Sequence, residues 1–356
     1  MTTMPDRVDH RFHSDNTAGI HPTVMAGLER ANSGYAGPSG DDDVTGELSR
    51  LATNLFGPDA VMFAVFNGTG GDMVALQAIC GHFGMVYAPA SSHILSTEST
   101  SIEGLAGIRV RPCPAHPDGT YDMGQLETVL TPSVVRDNIH VPRAEAVTLA
   151  QAPERAGLYS PQQLRQLTEL AHRHGLKVHM DGARLAQAAV SLNCSLAELT
   201  VDVGIDVLTL GATKLGALGA EAVVVLHTRD QGDTLGVVER VRKYTTQLAS
   251  KQRFLSAQLL ALLDNDTWLN NAQHANDMAR YLAECATHYD WARPVREPRV
   301  SGVFIALHPD KLKRGRHRYR LRQWDTDAQG WPVVRLMCPW QTSPENIETL
   351  WNDLTD

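Results

Sequence analysis

The sequence predicts an α/β protein, with a mostly parallel, doubly wound sheet in a large domain and a smaller α/β domain at the C-terminus. Three observations carry that prediction. Short runs of branched and apolar residues recur at 61–66, 84–88, 107–112, 146–150, 176–180, 206–210 and 221–226, each the length of a buried strand. Helical patterns fall between most of them, at 44–56, 122–131, 161–174 and 183–191, and such alternation argues for parallel pairing through helical crossovers. Glycine-rich loops follow two of the runs, Asn67-Gly-Thr-Gly-Gly-Asp72 and Gly211-Ala-Thr-Lys-Leu-Gly-Ala-Leu-Gly219, at the strand ends where open α/β sheets bind ligands.

Taken in order, Val61–Phe66 reads as a strand, Asn67–Asp72 as the loop after it, and Met73–Ile79 as a helix. Ser160 before Pro161 is a helix start, with serine as cap and proline at the first helical position. The runs flanking Lys214, Asp206–Leu210 and Glu221–Leu226, both read as buried parallel strands. A helical stretch covers 234–286, and the remainder carries strands at 302–307 and 332–337 and a closing helix. The expected division is an N-terminal arm at 1–20, a large domain at 21–254 and a small domain at 255–356. The basic run Lys311-Leu-Lys-Arg-Gly-Arg-His-Arg-Tyr-Arg-Leu-Arg322 reads as a solvated edge strand or hairpin, with an anion-binding patch as the alternative.

A chain of 356 residues has material for a large core and a second domain. Its formal charge of -8 argues against a dedicated nucleic-acid binder. No apolar stretch approaches the roughly 18 residues a membrane helix needs, and Met1–Val8 lacks the apolar core of a signal peptide. The five cysteines, at 80, 113, 194, 285 and 338, are odd in number and form no Cys-x-x-Cys pair. Neither a disulfide framework nor a metal site is expected, and a reducing cytoplasm is the simplest setting.

The chemistry concentrates on Lys214. Alone it reads as an ordinary solvated lysine, but a long cationic side chain on a glycine-rich loop between two buried strands also suits an amine that meets a reactive carbonyl as a Schiff base. Two other motifs fall at strand ends. Gly68, Thr69 and Gly70 lie between a strand and a helix, where the backbone can approach an anion and the helix N-terminus offers free N–H groups; a tight turn is the plain alternative. The run Leu176-Lys-Val-His-Met-Asp181-Gly-Ala-Arg184 delivers Asp181 to the sheet edge, either as a helix cap or as a carboxylate that keeps a pyridine nitrogen protonated. Arg184 reads as a surface ion-pair residue or as a bidentate carboxylate binder. Phosphate loop, strand-end aspartate and strand-end lysine in that order form a far more specific signal than any one alone.

At this point the chain resembles the fold-type I pyridoxal-phosphate enzymes, and among them the threonine aldolase family, β-eliminating lyase-like, in its low-specificity branch. The resemblance runs from Ser14 to about Trp340. It is carried by Ser14-Asp-Asn-Thr-Ala-Gly-Ile-His-Pro22, Ala31-Asn-Ser-Gly34 with Gly40-Asp-Asp42, Phe66-Asn-Gly-Thr-Gly70, Ser92-His-Ile94 with Glu98, and His140-Val-Pro-Arg143. Further on it is carried by His179-Met-Asp-Gly-Ala-Arg184, Gly211–Glu221, Gln247-Leu-Ala-Ser-Lys251 and Val334-Arg-Leu336. It implies the aspartate-aminotransferase-like fold and pyridoxal 5'-phosphate as cofactor. Lys214 would form the internal aldimine, Asp181 pair with the pyridine nitrogen, and His93 stack on the ring and share in proton transfer at the substrate's β-hydroxyl. Gly68, Thr69 and Gly70 would cradle the phosphate, and Lys251 would reach it from a partner subunit of a homodimer or homotetramer. Ser14, Arg184 and Arg335 would bind the substrate's α-carboxylate. The implied reaction is retro-aldol cleavage of L-threonine, L-allo-threonine and related β-hydroxy amino acids to glycine and an aldehyde, through an external aldimine and a quinonoid.

The pattern is not kept throughout. Leu215 stands where the family commonly has asparagine, Tyr35 where it has histidine, Ser39 where it has an aromatic residue, and Pro153 where it often has threonine or histidine. Gly71-Asp72 places an extra acidic residue close to the phosphate loop. These departures imply an altered pocket and leave two alternatives: another fold-type I lyase or transaldolase acting on a β-substituted amino acid, or a cofactor-binding protein without turnover. For Arg335 the plain reading is a charge on an edge strand beside Trp331 and Trp340.

Overall fold

All seven expected apolar runs pair into one sheet in the computed structural model, which describes residues 8–130, 138–228 and 232–355. The strands are β1 (Val61–Val65), β2 (Gly84–Pro89), β3 (Arg109–Cys113), β4 (Arg143–Ala150), β5 (Lys177–Gly182), β6 (Val207–Leu210) and β7 (Glu221–Val225). Their order is β1-β7-β6-β5-β4-β2-β3. Strands β2 to β6 pair in parallel, and β6 and β7 are buried along their whole length, as strands covered on both faces must be.

One expectation fails here. Strand β7 runs antiparallel to both β6 and β1. Residues 211–220 are too few for the crossover that parallel pairing requires. They form instead the turn that carries Lys214.

The helices of the large sheet are α1 (Pro22–Ala31), α2 (Asp43–Phe56), α3 (Gly68–Ile79), α4 (His93–Ser96), α5 (Ser101–Gly104), α6 (Met123–Leu130), α7 (Pro161–Arg173) and α8 (Leu185–Leu192). Helix α7 begins as its sequence predicts: Ser160 Oγ accepts from the Gln163 N–H at 3.2 Å and Gln163 Oε1 accepts from the Ser160 N–H at 2.8 Å. Residues 1–7 of the expected arm and residue 131 of the expected 122–131 helix lie outside the described residues.

The stretch 234–286 is three helices rather than one: α9 (Thr234–Tyr244), α10 (Arg253–Leu263) and α11 (Thr267–Ala286). Thr246 takes a left-handed φ of 62° in the first break, a conformation no helix continues through. A second sheet follows, of β8 (Ala292–Pro294), β9 (Gly302–Leu307), β10 (Gln323–Thr326) and β11 (Pro332–Met337), with helices α12 (Pro309–Arg318) and α13 (Pro344–Thr355). Its order is β10-β11-β9-β8, antiparallel throughout, over its own apolar cluster.

The basic run 311–322 is therefore mostly helix, not an edge strand or hairpin. Pro309 starts the helix, Leu312 faces the core, and Leu321 closes over Gly315, where a Cβ would lie 2.5 Å from the leucine. Arg335 also departs from its plain reading: β11 is an interior strand, flanked by β10 and β9.

Asp206 anchors the start of β6 and with it the approach to Lys214. Its carboxylate accepts from the Val178 N–H at 2.8 Å, from Lys177 Nζ at 3.0 Å and from His172 Nε2 at 2.9 Å. Burial alone would raise its pKa, but these three donors outweigh burial and hold it below the ordinary value. A depressed carboxyl contributes stability above its unfolded pKa and loses it as pH falls. Asp206→Ala should therefore cost about 2–4 kcal/mol in urea unfolding at pH 7, and the gap to the parent should hold down to about pH 4 and narrow below it.

Candidate active site

Five parallel-strand ends and two outside segments converge on one edge of the large sheet. Strand β1 leads into Gly68–Gly70 at the start of α3, β2 into His93 at the start of α4, and β4 into Glu154. Strand β5 carries Asp181 and ends just before Arg184, and β6 leads to Lys214. The N-terminal segment brings Ser14 and β11 brings Arg335. A cavity of about 290 Å³ is lined by Ser14, His93, Glu154, Arg184, Lys214 and Arg335, together with Phe12, His13, Arg320, Arg322 and Trp324. Five of the predicted site residues thus share one cavity.

The two inner arginines differ in how they are held. Arg184 is 6 % exposed and donates through Nε at 2.9 Å and Nη2 at 2.8 Å to Asp15 Oδ2. Asp15 Oδ1 accepts in turn from Ser301 Oγ at 3.0 Å. Burial works against the Arg184 charge, but Asp15 and Glu154 outweigh it and leave the pKa raised. The Arg335 guanidinium lies 3.9 Å above the Trp324 ring and has a shielded Nε without a partner. Burial, and then repulsion from Arg184, push its pKa down to about 10. Two guanidiniums facing one cavity, one of them under-satisfied, make a receptor for a carboxylate.

His93 Nδ1 donates to Glu98 Oε1 at 2.7 Å, and that bond raises the histidine pKa against the effect of burial. Glu98 Oε2 accepts from Ser101 Oγ at 3.1 Å. Behind this pair Asp72 is fully buried, with Oδ1 at 3.6 Å from His179 Nε2, and Asp72, His93 and Glu98 bring ligand atoms within 4.8 Å of one another. Burial, then Asp181 and Glu98, push the Asp72 pKa well above the carboxylate range. Asp72 thus lies buried under the sheet edge, where its surroundings disfavour the extra negative charge that its place beside the phosphate loop suggested. His179 bridges Thr148 Oγ1 at 2.8 Å and Thr209 Oγ1 at 3.0 Å; burial brings its pKa down to about 4 and keeps it neutral. Asp181 Oδ1 accepts from the Ala183 N–H at 2.9 Å.

Lys214 lies in the short 3-10 turn Thr213–Leu215. Glu221, at the start of β7, accepts from the Ala212 N–H; burial raises its pKa and the nearby Lys214 opposes the rise. At the start of α3 the Asn67 side chain caps the Gly70 N–H at 2.8 Å. The N–H groups of Gly68 and Thr69 have no partner among the described residues, and the space above Gly68 is open to 4 Å. A Cβ on Gly70 would lie 2.2 Å from the end of the Gln247 side chain and would displace that side chain from the Phe66 N–H, which its Oε1 accepts at 3.0 Å. Gly68, Thr69, Gly70 and Asp181 stand on the same sheet edge without lining the cavity, and Lys251 is exposed and outside it.

The departures from the family pattern also find places. Leu215 is buried and its carbonyl accepts from Asn271 Nδ2 at 2.8 Å. Tyr35 is fully exposed, and the Ser39 N–H donates to the Ser250 carbonyl. Pro153 packs against Gly119. None of the four lines the cavity. Two residues that sequence reasoning passed over do matter: Asp15, and Glu154, whose Oε2 is shielded and unpartnered and whose pKa is raised by burial and then by Asp181. The place of Glu154 just after a parallel strand was the signal that could have found it.

The fold and this edge define a fold-type I pyridoxal-phosphate enzyme. Residues 11–308 match the family model described as Beta-eliminating lyase. A low specificity L-threonine aldolase from Pseudomonas aeruginosa is 34 % identical, over 97 % of this chain and 98 % of its own length. Another from a Pseudomonas species is 31 % identical over 97 % and 96 %. The solved threonine aldolase of Leishmania major superposes with a TM-score of 0.85 at 24 % identity, over 96 % of this chain and 97 % of its own, and shows the same fold. The chain belongs to the beta-eliminating lyase family, alongside the low-specificity L-threonine aldolases.

The Glu98 bond to His93 can be checked directly. In Glu98→Gln the histidine loses its anionic acceptor, and its pKa in an NMR titration should fall. An unshifted titration would mean that Glu98 does not control His93.

Proposed function

We propose that this protein is a pyridoxal-phosphate-dependent aldehyde-lyase that cleaves L-threonine, L-allo-threonine and related β-hydroxy amino acids to glycine and an aldehyde. The observation that carries this reading is the meeting of Lys214, His93, Arg184 and Arg335 around one cavity. The residues suit the cofactor. Lys214 offers an amine to its aldehyde, Asp181 a carboxylate to its ring nitrogen, and Gly68 and Thr69 two unpartnered N–H groups to its phosphate. When bound, the cofactor supplies an electron sink for the pair released as the Cα–Cβ bond breaks.

The protein's own share is placement and proton traffic. Arg335 and Arg184 hold the α-carboxylate, and Ser14 adds a hydroxyl donor; fixing the carboxylate fixes which bond at Cα faces the sink. His93 lines the cavity where it would lie against a bound ring, and its Nε2 would accept the β-hydroxyl proton while its Nδ1–H stays on Glu98. Asp181, at the end of the parallel strand between His93 and Lys214, would meet the ring nitrogen. Lys251 serves the phosphate site of a second copy in a homodimer or homotetramer. Its exposure supports this, as does the nearby apolar groove of Ile20, Met25, Phe66, Leu218 and Phe254, whose Phe254 N–H donates to the Lys251 carbonyl at 3.2 Å. We place the protein in a reducing cytoplasm, which its five free cysteines support. The positions that raised alternative reactions, 35, 39, 153 and 215, do not line the cavity, and no observation favours a second reaction.

Aldehyde release coupled to an NADH-dependent reductase, with glycine measured in parallel, tests the reading. L-Threonine should give the two products in equal amounts. Lys214→Ala should lower kcat by about a thousand-fold or more and abolish the visible absorption of the protein-bound imine. Arg335→Leu should raise KM by about ten- to a hundred-fold. A panel of β-hydroxy amino acids that yields no aldehyde with glycine would overturn the assignment.

A further inference from the structure

We propose that the mouth of the cavity is a second anion site, which makes β-hydroxy amino acids whose side chain ends in a carboxylate or phosphate better substrates than L-threonine. The proposal rests on the aldolase reading of the inner cavity and adds the class of side chain that the cavity takes.

The charge around the cavity is lopsided. Its lining holds five fixed cations, Lys214, Arg184, Arg335, Arg320 and Arg322, against the single carboxylate of Glu154. The chain as a whole carries -8, so this is a local reversal of sign, of the kind that concentrates anionic ligands. Arg184 and Arg335 suffice for one α-carboxylate. Lys214 is committed to the cofactor. Arg320 and Arg322 are left without a role in the reaction.

Among the described residues Arg314 and Arg316 of the same run also make no ion pair, but of the four only Arg320 and Arg322 line the cavity, and several arginines around them are paired. Arg11 pairs with Asp9, Arg155 with Asp325, Arg293 with Asp327 and Arg318 with Asp353. Arg320 and Arg322 are exposed and make no ion pair among the described residues. Arg320 stands just past the end of α12 with φ of 52°, a left-handed position at which glycine is the usual residue. An arginine there costs backbone strain, and in return its guanidinium reaches the cavity lining. His13 sits among the same groups: burial first, then Arg322, His10, Arg335 and Arg320, keep its pKa below the ordinary value. The basic run of the sequence is thereby divided. The charged face of its helical part is solvated, and the residues after the helix put two unpaired cations at the entrance to the site.

A β-hydroxy amino acid with an anionic side chain would place its α-carboxylate on Arg184 and Arg335 and its distal anion on Arg320 and Arg322. For β-hydroxyaspartate the reaction balances without any oxidant. The Cα–Cβ bond breaks, the β-hydroxyl gives up its proton, glyoxylate leaves, and Cα gains a proton to become glycine.

The isosteric pair L-aspartate and L-asparagine tests the site without turnover. By calorimetry on the cofactor-loaded protein, L-aspartate should bind about five- to ten-fold more tightly, an advantage that shrinks as salt is added. Arg320→Gln/Arg322→Gln should bring the ratio to about one, and Arg320→Glu/Arg322→Glu should invert it. Equal binding of the two ligands by the parent, or a ratio that persists in the double glutamine variant, overturns the proposal. Cleavage then identifies the anion. A kcat/KM above that of L-threonine for β-hydroxyaspartate, or for 2-amino-3-hydroxy-4-phosphooxybutanoate, supports the proposal and names carboxylate or phosphate; L-threonine faster than both overturns it. L-Threonine cleavage in the same preparation reads the aldolase assignment separately, so failure of the mouth site and failure of the inner site give different results.

Discussion

The buried ion pair between Asp15 and Arg184 is the contact on which the rest of the site depends. Asp15 Oδ2 takes two donors from an arginine at the end of β5, and Asp15 Oδ1 takes a third from Ser301, beside the second sheet. One carboxylate thus joins the N-terminal segment, the large sheet and the small sheet at the cavity wall. Breaking a buried pair from one side leaves an uncompensated charge, which costs more than forming the pair gained. With Nε and Nη2 committed to Asp15, Arg184 has few rotamers left, and the remaining edge of its guanidinium has a fixed position.

Around that pair the electrostatics is arranged by burial as much as by charge. Desolvation disfavours the charged forms of both Asp72 and His179 beneath the sheet edge. Desolvation also weakens the hold of Arg335 on its proton while Arg184 repels it. A carboxylate arriving between the two arginines relieves both effects together. Glu98 acts in the opposite sense, holding His93 in one orientation and favouring its charged form.

Much of this was legible in the sequence, for physical reasons. Apolar runs such as 206–210 and 221–226 are strands because both faces are covered, and their lengths and positions could be read directly. Their relative direction could not, since it depends on how short the turn 211–220 is. Ser160 and Pro161 announced α7 because capping is local chemistry. Lys214, Asp181, Arg184 and the glycines 68 and 70 could be placed on one edge from the sequence because strand ends in a parallel sheet gather there. Ser14 and Arg335 entered through the resemblance alone: nothing local shows that a residue at each end of the chain meets the same cavity. Asp15 escaped notice for that reason, since its partner is far away in sequence. Glu154 lay beside Pro153, the residue that drew attention instead. The basic run 311–322 was misread because its charges hid the spacing of Leu312 and Gly315, which set its helix on the core.

The most direct test of the central claim is the saturation curve for L-threonine in Asp15→Ala, with fold checked by circular dichroism. If Asp15 positions Arg184 for the substrate carboxylate, KM should rise by about ten-fold or more while kcat changes far less. A folded Asp15→Ala protein with KM within about two-fold of the parent would contradict the account, since Arg184 would then bind its ligand without the pair that holds it.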